Sequence, residues 1–402
     1  MRGMTGLLRS ERRLRWFFAA HLQGALGAGA GYVALMVLAY DRIGSAWGAT
    51  AVLLADFLPA MLLGPLLGSL IDRTSRLGGA VLSDLIRAVA FAGLVFADGT
   101  LALVAFALLA GFGTALFRPA TYALLPSLVG SDRVKSANAL YLAVRDAGQL
   151  LGLMLAAALL AISSPELVLG LNAVTFALSA LLLTRLRGQV RAVVTPTSAT
   201  KAARNDAPGL LRDRFVRTLV ITSGLVTLCA AMMNIGELVL AQQDLDAGAT
   251  GFALLTAAYG LGLIGGTLCA GRDGGDTRVT FFVGLGGVAA GMLGTALAPG
   301  LGFAMCTFAF TGAANGLFCT SKTTMLHRAV PERAHGRAFG LLDSLDSWGF
   351  GLAVVAGGAL ATAFGGRWLF AISGVLLALV FVGAAFALRH PRAGRLTSPV
   401  PV

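Results

Sequence analysis

Charge is scarce in this chain of 402 residues: Asp, Glu, Lys and Arg together make up 12%, about half the share in a water-soluble domain. A polar surface able to clothe a globular fold in water is therefore missing. The four cysteines, Cys229, Cys269, Cys306 and Cys319, sit in or at the ends of apolar runs without paired loop spacing, which excludes a disulfide framework and a zinc site. Segments of alternating polarity, the mark of barrel strands, are absent. There is no Gly-x-x-x-x-Gly-Lys-Ser/Thr phosphate loop and no His-Glu-x-x-His pair, so neither ATP-driven work nor metalloprotease chemistry is expected. Asp343-Ser344-Leu345-Asp346 superficially resembles the paired acids of prenyl-transferring enzymes, but the doubled Asp and a second acidic motif are missing. No enzymatic activity, cofactor or bound metal is expected.

What fills the chain is apolar sequence: 57% falls among Ala, Val, Ile, Leu, Met, Phe, Trp, Tyr and Cys. Twelve stretches approach bilayer length, near 16–39, 48–71, 80–97, 100–122, 137–162, 164–184, 216–242, 250–270, 279–297, 299–321, 338–363 and 366–388. A spanning helix needs about 20 apolar residues. In lipid every backbone amide must be paired internally, so such stretches become helices. The expectation is an all-α, multi-pass protein with twelve transmembrane helices. The first run is too long for a signal-peptide core, so cleavage is not expected.

The 31 basic residues are distributed with one bias. Arg42 and Arg367 lie on one face, Arg87, Arg118 and Arg145 lie within or at the ends of spans, and all the others fall at the N-terminus, in alternate loops or in the tail. Basic loops stay in the cytoplasm, which places both termini there and makes the number of spans even. The net charge of +12 is accounted for by this topology and by anionic lipid headgroups, not by nucleic acid. A location in the bacterial inner membrane, as a monomer among lipid, is expected.

Positions 200 apart match: Thr50 and Leu54 with Thr250 and Leu254, Asp132-Arg133 with Glu332-Arg333, Asp146 with Asp346. The longest polar stretch, 185–215, holds Pro196 and Pro208 and falls between the two sets. The expected organisation is a six-helix bundle over 1–184, a cytoplasmic linker over 185–215 and a second six-helix bundle over 216–402. Parallel repeats of this kind build many secondary transporters, with substrate held between them near mid-membrane. Glycine is concentrated inside the spans (Gly24, Gly27, Gly31, Gly148, Gly152, Gly349, Gly357, Gly358), where small residues let helices approach and slide.

Between the second and third spans the chain reads Gly68-Ser69-Leu70-Ile71-Asp72-Arg73-Thr74-Ser75-Arg76. This resembles the Gly-x-x-x-Asp-Arg-x-Gly-Arg signature of the major facilitator superfamily, at the loop where that family carries it. Asp84-Leu85-Ile86-Arg87, Phe117-Arg118-Pro119-Ala120, Leu125-Pro126 and Ala137-Asn138-Ala139-Leu140 are similar to its drug- and siderophore-exporter branch, including enterobactin exporters. The resemblance implies a gating cluster of Gly68, Asp72, Arg73, Arg76, Asp84 and Arg87, with Asp72 set against the eleventh span in the outward-open state. Ser75 replaces the usual Gly, and Gly266-Thr267-Leu268-Cys269-Ala270-Gly271-Arg272 in the second half has lost the acid. Ala107 stands where many proton antiporters of the family have an Arg, and Gly148-Gln149-Leu150-Leu151-Gly152 lacks their Pro.

Six acids fall within spans: Asp56, Asp84, Asp146, Glu237, Asp343 and Asp346. Each would cost about 3 kcal/mol facing lipid at a helix centre. They are expected to face partners or a wet cavity. Asp84 and Arg87 are spaced to pair on one helix face. Asn138, Tyr141, Arg145 and Gln149 form a polar stripe at helical spacing, with Asp146 turned toward a neighbour or the other side of the cavity. Asn234 and Glu237 follow Met232 and Met233, whose adaptable side chains could line an apolar pocket or simply fill core. His327, His335 and His390 fall in loops or the tail, whereas His21 in the first span is a candidate relay. The cavity candidates are therefore Asp56, Asn138, Tyr141, Arg145, Asp146, Gln149, Asn234, Glu237, Asp343 and Asp346. Asp56, Asp146, Glu237 and Asp346 are the candidate proton carriers. The expected function is export of a small amphipathic organic molecule, a drug, natural product or siderophore, in exchange for protons, with import or uniport on the same fold as the alternative.

Overall fold

A computed structural model describes residues 12–73, 75–129, 133–186, 213–272, 276–330 and 335–388. Among these residues there is no strand, and twelve helices are long and apolar enough to cross a membrane. They are α1 (Arg12–Ile43), α2 (Ala46–Arg73), α3 (Arg76–Val95), α4 (Thr100–Leu128), α5 (Val134–Leu160) and α6 (Pro165–Thr184). α7 runs in three pieces, Arg214–Ala231, Met233–Val239 and a π-helical turn Leu240–Asp244. α8 (Gly248–Arg272), α9 (Thr277–Ala296), α10 (Leu301–Ala329), α11 (His335–Phe364) and α12 (Gly366–Ala387) complete the chain. Most of the linker expected over 185–215 lies outside the described residues.

Local chemistry sets several of these ends. Ser75 caps α3 by accepting from the Gly78 amide at 3.0 Å, so the residue in the Gly position of the 68–76 signature serves as an N-cap. Asp213 caps α7 and Asp276 caps α9 in the same way. Gly99 and Gly365, before α4 and α12, have φ of 85° and 84°, a region costly for any residue with a Cβ.

Two expectations about length are corrected. α4 continues through Pro119 and Pro126 to Leu128, and α10 continues past residue 321 to Ala329. Lys322, counted above among loop cations, is therefore inside a membrane helix and buried. Apolar Met325 and Leu326 continue the helix beyond it; an interruption by one cation hid that continuity.

The pairing of helices repeats after six. α1 packs on α5 as α7 packs on α11; α2 packs on α4 as α8 packs on α10; α3 packs on α4 and α6 as α9 packs on α10 and α12. The match extends to single residues. A Cβ on Gly111 of α4 would strike the Asp56 carbonyl of α2, and one on Gly312 of α10 would strike the Tyr259 carbonyl of α8. Only glycine permits that approach of backbones. The two sets of six meet along α5–α8 and α2–α11. Gly358 of α11 lies against Thr50 of α2, and the Phe57 and Phe350 rings meet at a tilt with centroids 4.4 Å apart.

Candidate functional site

Helix 7 is where the second half departs from regular backbone. Asn234 donates from Nδ2 to the Ala231 carbonyl at 2.9 Å, competing with the helix's own ladder, and α7 breaks at Met232 beside it. The Asn234 Oδ1 is thereby aimed across to the first half, where it accepts from the Tyr32 hydroxyl of α1 at 2.9 Å. One turn further, Glu237 is buried and accepts from Thr256 of α8. Asp56 of α2, half-buried, lies with Glu237 within electrostatic reach of the Tyr32 hydroxyl. Among the described residues neither Asp56 nor Glu237 forms an ion pair. Two carboxyl groups, one from each half, thus share a central layer with hydroxyl and amide groups; Arg87, paired with Asp84, is the cation within electrostatic reach of Asp56. Such a layer suits a proton or a polar group of a ligand. The π-helical turn that ends α7 carries Gln243, which donates to the Tyr40 hydroxyl of α1 at 2.5 Å. These two cross-half hydrogen bonds join α1 to α7, one beside the break in α7 and one at its π-helical end.

On the termini side of that layer, α5 presents its polar stripe. At 100° per residue, Gly148 and Gly152 face α1, and Leu150 and Leu153 face α8 through Gly260. Asn138, Arg145, Asp146 and Gln149 fall on the arc between those contacts, opposite the lipid-facing Leu151 and Met154. Arg145 and Asp146 pair with each other at 2.8 Å, with side chains 41% and 57% exposed. Asp146, expected to face a neighbour or the far side of the cavity, is exposed and bonded to its chain neighbour Arg145. Tyr141, counted in the same stripe, turns into the bundle. It is buried, its ring stacks on His21 at 4.0 Å and its hydroxyl meets Thr121 at 3.0 Å. His21 in turn sits with Nε2 3.2 Å from the Tyr141 carbonyl oxygen.

Asp346, the repeat partner of Asp146, is placed differently. Its Oδ1 accepts from Thr227 of α7 at 2.8 Å and its Oδ2 lies 3.4 Å from Lys322 Nζ of α10. Above it, toward the central layer, Asn315 donates to the Tyr259 hydroxyl at 2.7 Å and Cys319 points at Asn315. Lys322, Tyr32, Tyr40, Thr227, Gln243, Thr256, Tyr259 and Asn315 are polar residues of this region that sequence spacing missed. A lone Tyr, Thr or Asn in an apolar span carries no signal until its neighbour across the helix interface is known.

Asp84 and Arg87 pair as their spacing allows, within the core of the first half. Arg87 lies 4.2 Å from the centroids of both Phe117 and Phe176, and Asp84 also accepts from Ser179 at 2.6 Å. Of the signature loop, Arg76 reaches the Ala123 carbonyl at 3.2 Å, pinning α3 to α4. The side chains of Gly68, Asp72, Arg73 and Asp343 lie outside the described residues. Met232 and Met233 are buried core, with Met232 under Gly357 of α11. Two apolar grooves occupy the outer flanks, one between α2 and α4 around Pro59 and Phe112, the other between α7 and α12 around Leu225 and Leu376.

The Major Facilitator Superfamily family model matches residues 16–272 and, in an overlapping second match, 220–401. Over 93% of each chain the protein is 26% identical to YfiS of Bacillus subtilis (strain 168), an uncharacterized MFS-type transporter. Over 146 residues, 36% of each chain, it is 32% identical to BacE of the same organism, provisionally named a bacilysin exporter. Among solved structures, a bacterial homolog of the human lysosomal transporter Spinster, inward-facing and unoccupied, superposes with a TM-score of 0.75 at 16% identity, over 94% of this chain and 98% of that one. A bacterial homologue of the iron transporter ferroportin, also inward-facing, gives 0.73 at 18% identity over 94% and 98%. At such identities the likeness speaks for the fold alone.

Proposed function

Because this chain belongs to the major facilitator superfamily and is a transporter rather than an enzyme, we propose that it exports a small amphipathic organic molecule in exchange for protons. In this reading residues 1–184 and 216–402 are two bundles joined by 185–215, and they rock about the central layer. The protein works as a monomer in a bacterial inner membrane with both termini in the cytoplasm.

The observation that supports the reading is the layer of Asp56 and Glu237, two acids from opposite halves with hydroxyl and amide neighbours and no ion-pair partner among the described residues, Arg87 being the cation within electrostatic reach of Asp56. A carboxyl group that is protonated cannot at the same time hold a ligand's cation or donor with full charge, and that exclusion is what exchange requires. Asp146 and Asp346, each with a basic partner, are the weaker proton candidates. The partial likeness to BacE supports outward transport.

The test is proton movement in acidified inside-out vesicles, challenged with an amphipathic dye, a hydrophobic amino acid and a catechol chelator. Wild type should release protons on addition of a carried probe. Asp56→Asn and Glu237→Gln should each reduce that response at least tenfold. Undiminished proton release in both variants contradicts the coupling role.

A further inference from the structure

Lys322 is a buried cation in a membrane helix, a placement that is costly and retained mainly where charge is used. Its ammonium carries three N–H donors, yet it has one acceptor, Asp346 Oδ2 at 3.4 Å, and otherwise faces the Phe318 ring with its nitrogen 5.7 Å from the centroid. Asp346 is differently situated: its side chain is 29% exposed against 10% for Lys322, so the pair is open on the carboxylate side. Thr227 holds the second carboxylate oxygen from α7. Helices 7, 10 and 11 thus meet at one positive and one negative group, close together, incompletely bonded and reachable from one direction.

What could occupy such a pair follows from charge conservation. An anion taking Lys322 strands Asp346, and a cation taking Asp346 strands a buried ammonium; breaking a buried pair from one side is strongly unfavourable. A net-neutral ligand with both charges close together replaces one ion pair by two and strands neither. We propose that Lys322 and Asp346 form the head-group site for an amphipathic zwitterion of the α-amino-acid type. The ligand's carboxylate meets Lys322 and its ammonium meets Asp346, with its apolar remainder on the open, carboxylate side of the pair. This deepens the exporter reading by naming the substrate class, and it rests on that reading for the assumption that substrate passes between the two halves.

The experiment uses the full-length protein in lipid nanodiscs and three probes: phenylalanine, N-acetylphenylalanine, which keeps only the negative charge, and phenylalanine amide, which keeps only the positive one. Phenylalanine should bind wild type at least tenfold more tightly than either blocked form. Lys322→Met should abolish the preference over the amide, and Asp346→Asn the preference over the N-acetyl form, while Lys322→Arg retains both. Equal binding of the three probes to wild type, a readout that needs no variant to fold, overturns the proposal. So does an unchanged ranking in Lys322→Met and Asp346→Asn. A lost ranking with proton exchange intact removes this inference alone; a retained ranking without proton exchange removes the exporter reading alone.

Discussion

Replacing Arg87 with Met probes how the first half holds a charge pair away from water. Asp84 is fully buried and Arg87 nearly so, and the guanidinium sits between Phe117 and Phe176. Removing one member of a buried pair costs about 3–5 kcal/mol, because the other is left without its counter-charge. Met fills the space and keeps sulfur–aromatic contact with both rings, so little of that loss should come from packing. Asp84 keeps only the Ser179 hydroxyl. Arg87→Met should therefore destabilise by about 3–5 kcal/mol. Asp84→Asn keeps an oxygen that accepts from Ser179 but strands a buried guanidinium that cannot shed its proton, so it should cost at least as much. The double variant should fall well short of the sum, with a coupling of about 2 kcal/mol or more. Denaturant unfolding of detergent-purified protein, followed by tryptophan fluorescence, measures all three. Additive costs, or an Arg87→Met cost under about 1 kcal/mol, would refute the argument that the pair is desolvated and mutually dependent.

Other outcomes follow from single contacts. Tyr32→Phe removes the hydroxyl that joins α1 to Asn234 and should shift the balance of conformers by about 0.5–1.5 kcal/mol toward separation of α1 from α7, read as faster alkylation of a cysteine placed at Thr256. Gly111→Val should abolish assembly of α4 on α2, because its Cβ would collide with the Asp56 carbonyl; recovery of folded protein at wild-type yield after detergent extraction would contradict that contact. Gly312→Val should fail in the same way at α10 and α8, and normal behaviour of one variant beside failure of the other would break the proposed equivalence of the halves.

Much of the architecture was legible in order of residues because lipid imposes a simple rule. A helix long enough to cross must be predominantly apolar, so the number of spans and their approximate ends follow from run length. The repeat was visible at Asp146 and Asp346, yet the two acids have unlike surroundings: one leans on Arg145 at the open edge of α5, the other is clasped by Lys322 and Thr227. Position in a repeat fixes depth and helix, while the partner depends on which side chain the neighbouring helix presents. The same limit hid Lys322, because a cation near the end of an apolar run reads as a loop residue until the helix is seen to continue. Tyr141 misled for the opposite reason. Its spacing placed it on a polar stripe, but an aromatic ring finds more contact inside, and His21 and Thr121 satisfy its polar end there.

The central claim is that the two halves move about the Asp56–Glu237 layer and open one face as they close the other. The most direct measurement is the distance between spin labels at Leu142→Cys in α5 and Leu345→Cys in α11, both exposed, in a background lacking the four native cysteines. Two distance populations should be present in nanodiscs, and a change of pH between 5.5 and 8 should alter their proportions in wild type but not in the Asp56→Asn/Glu237→Gln double variant. A single distance that is indifferent to pH would contradict the account.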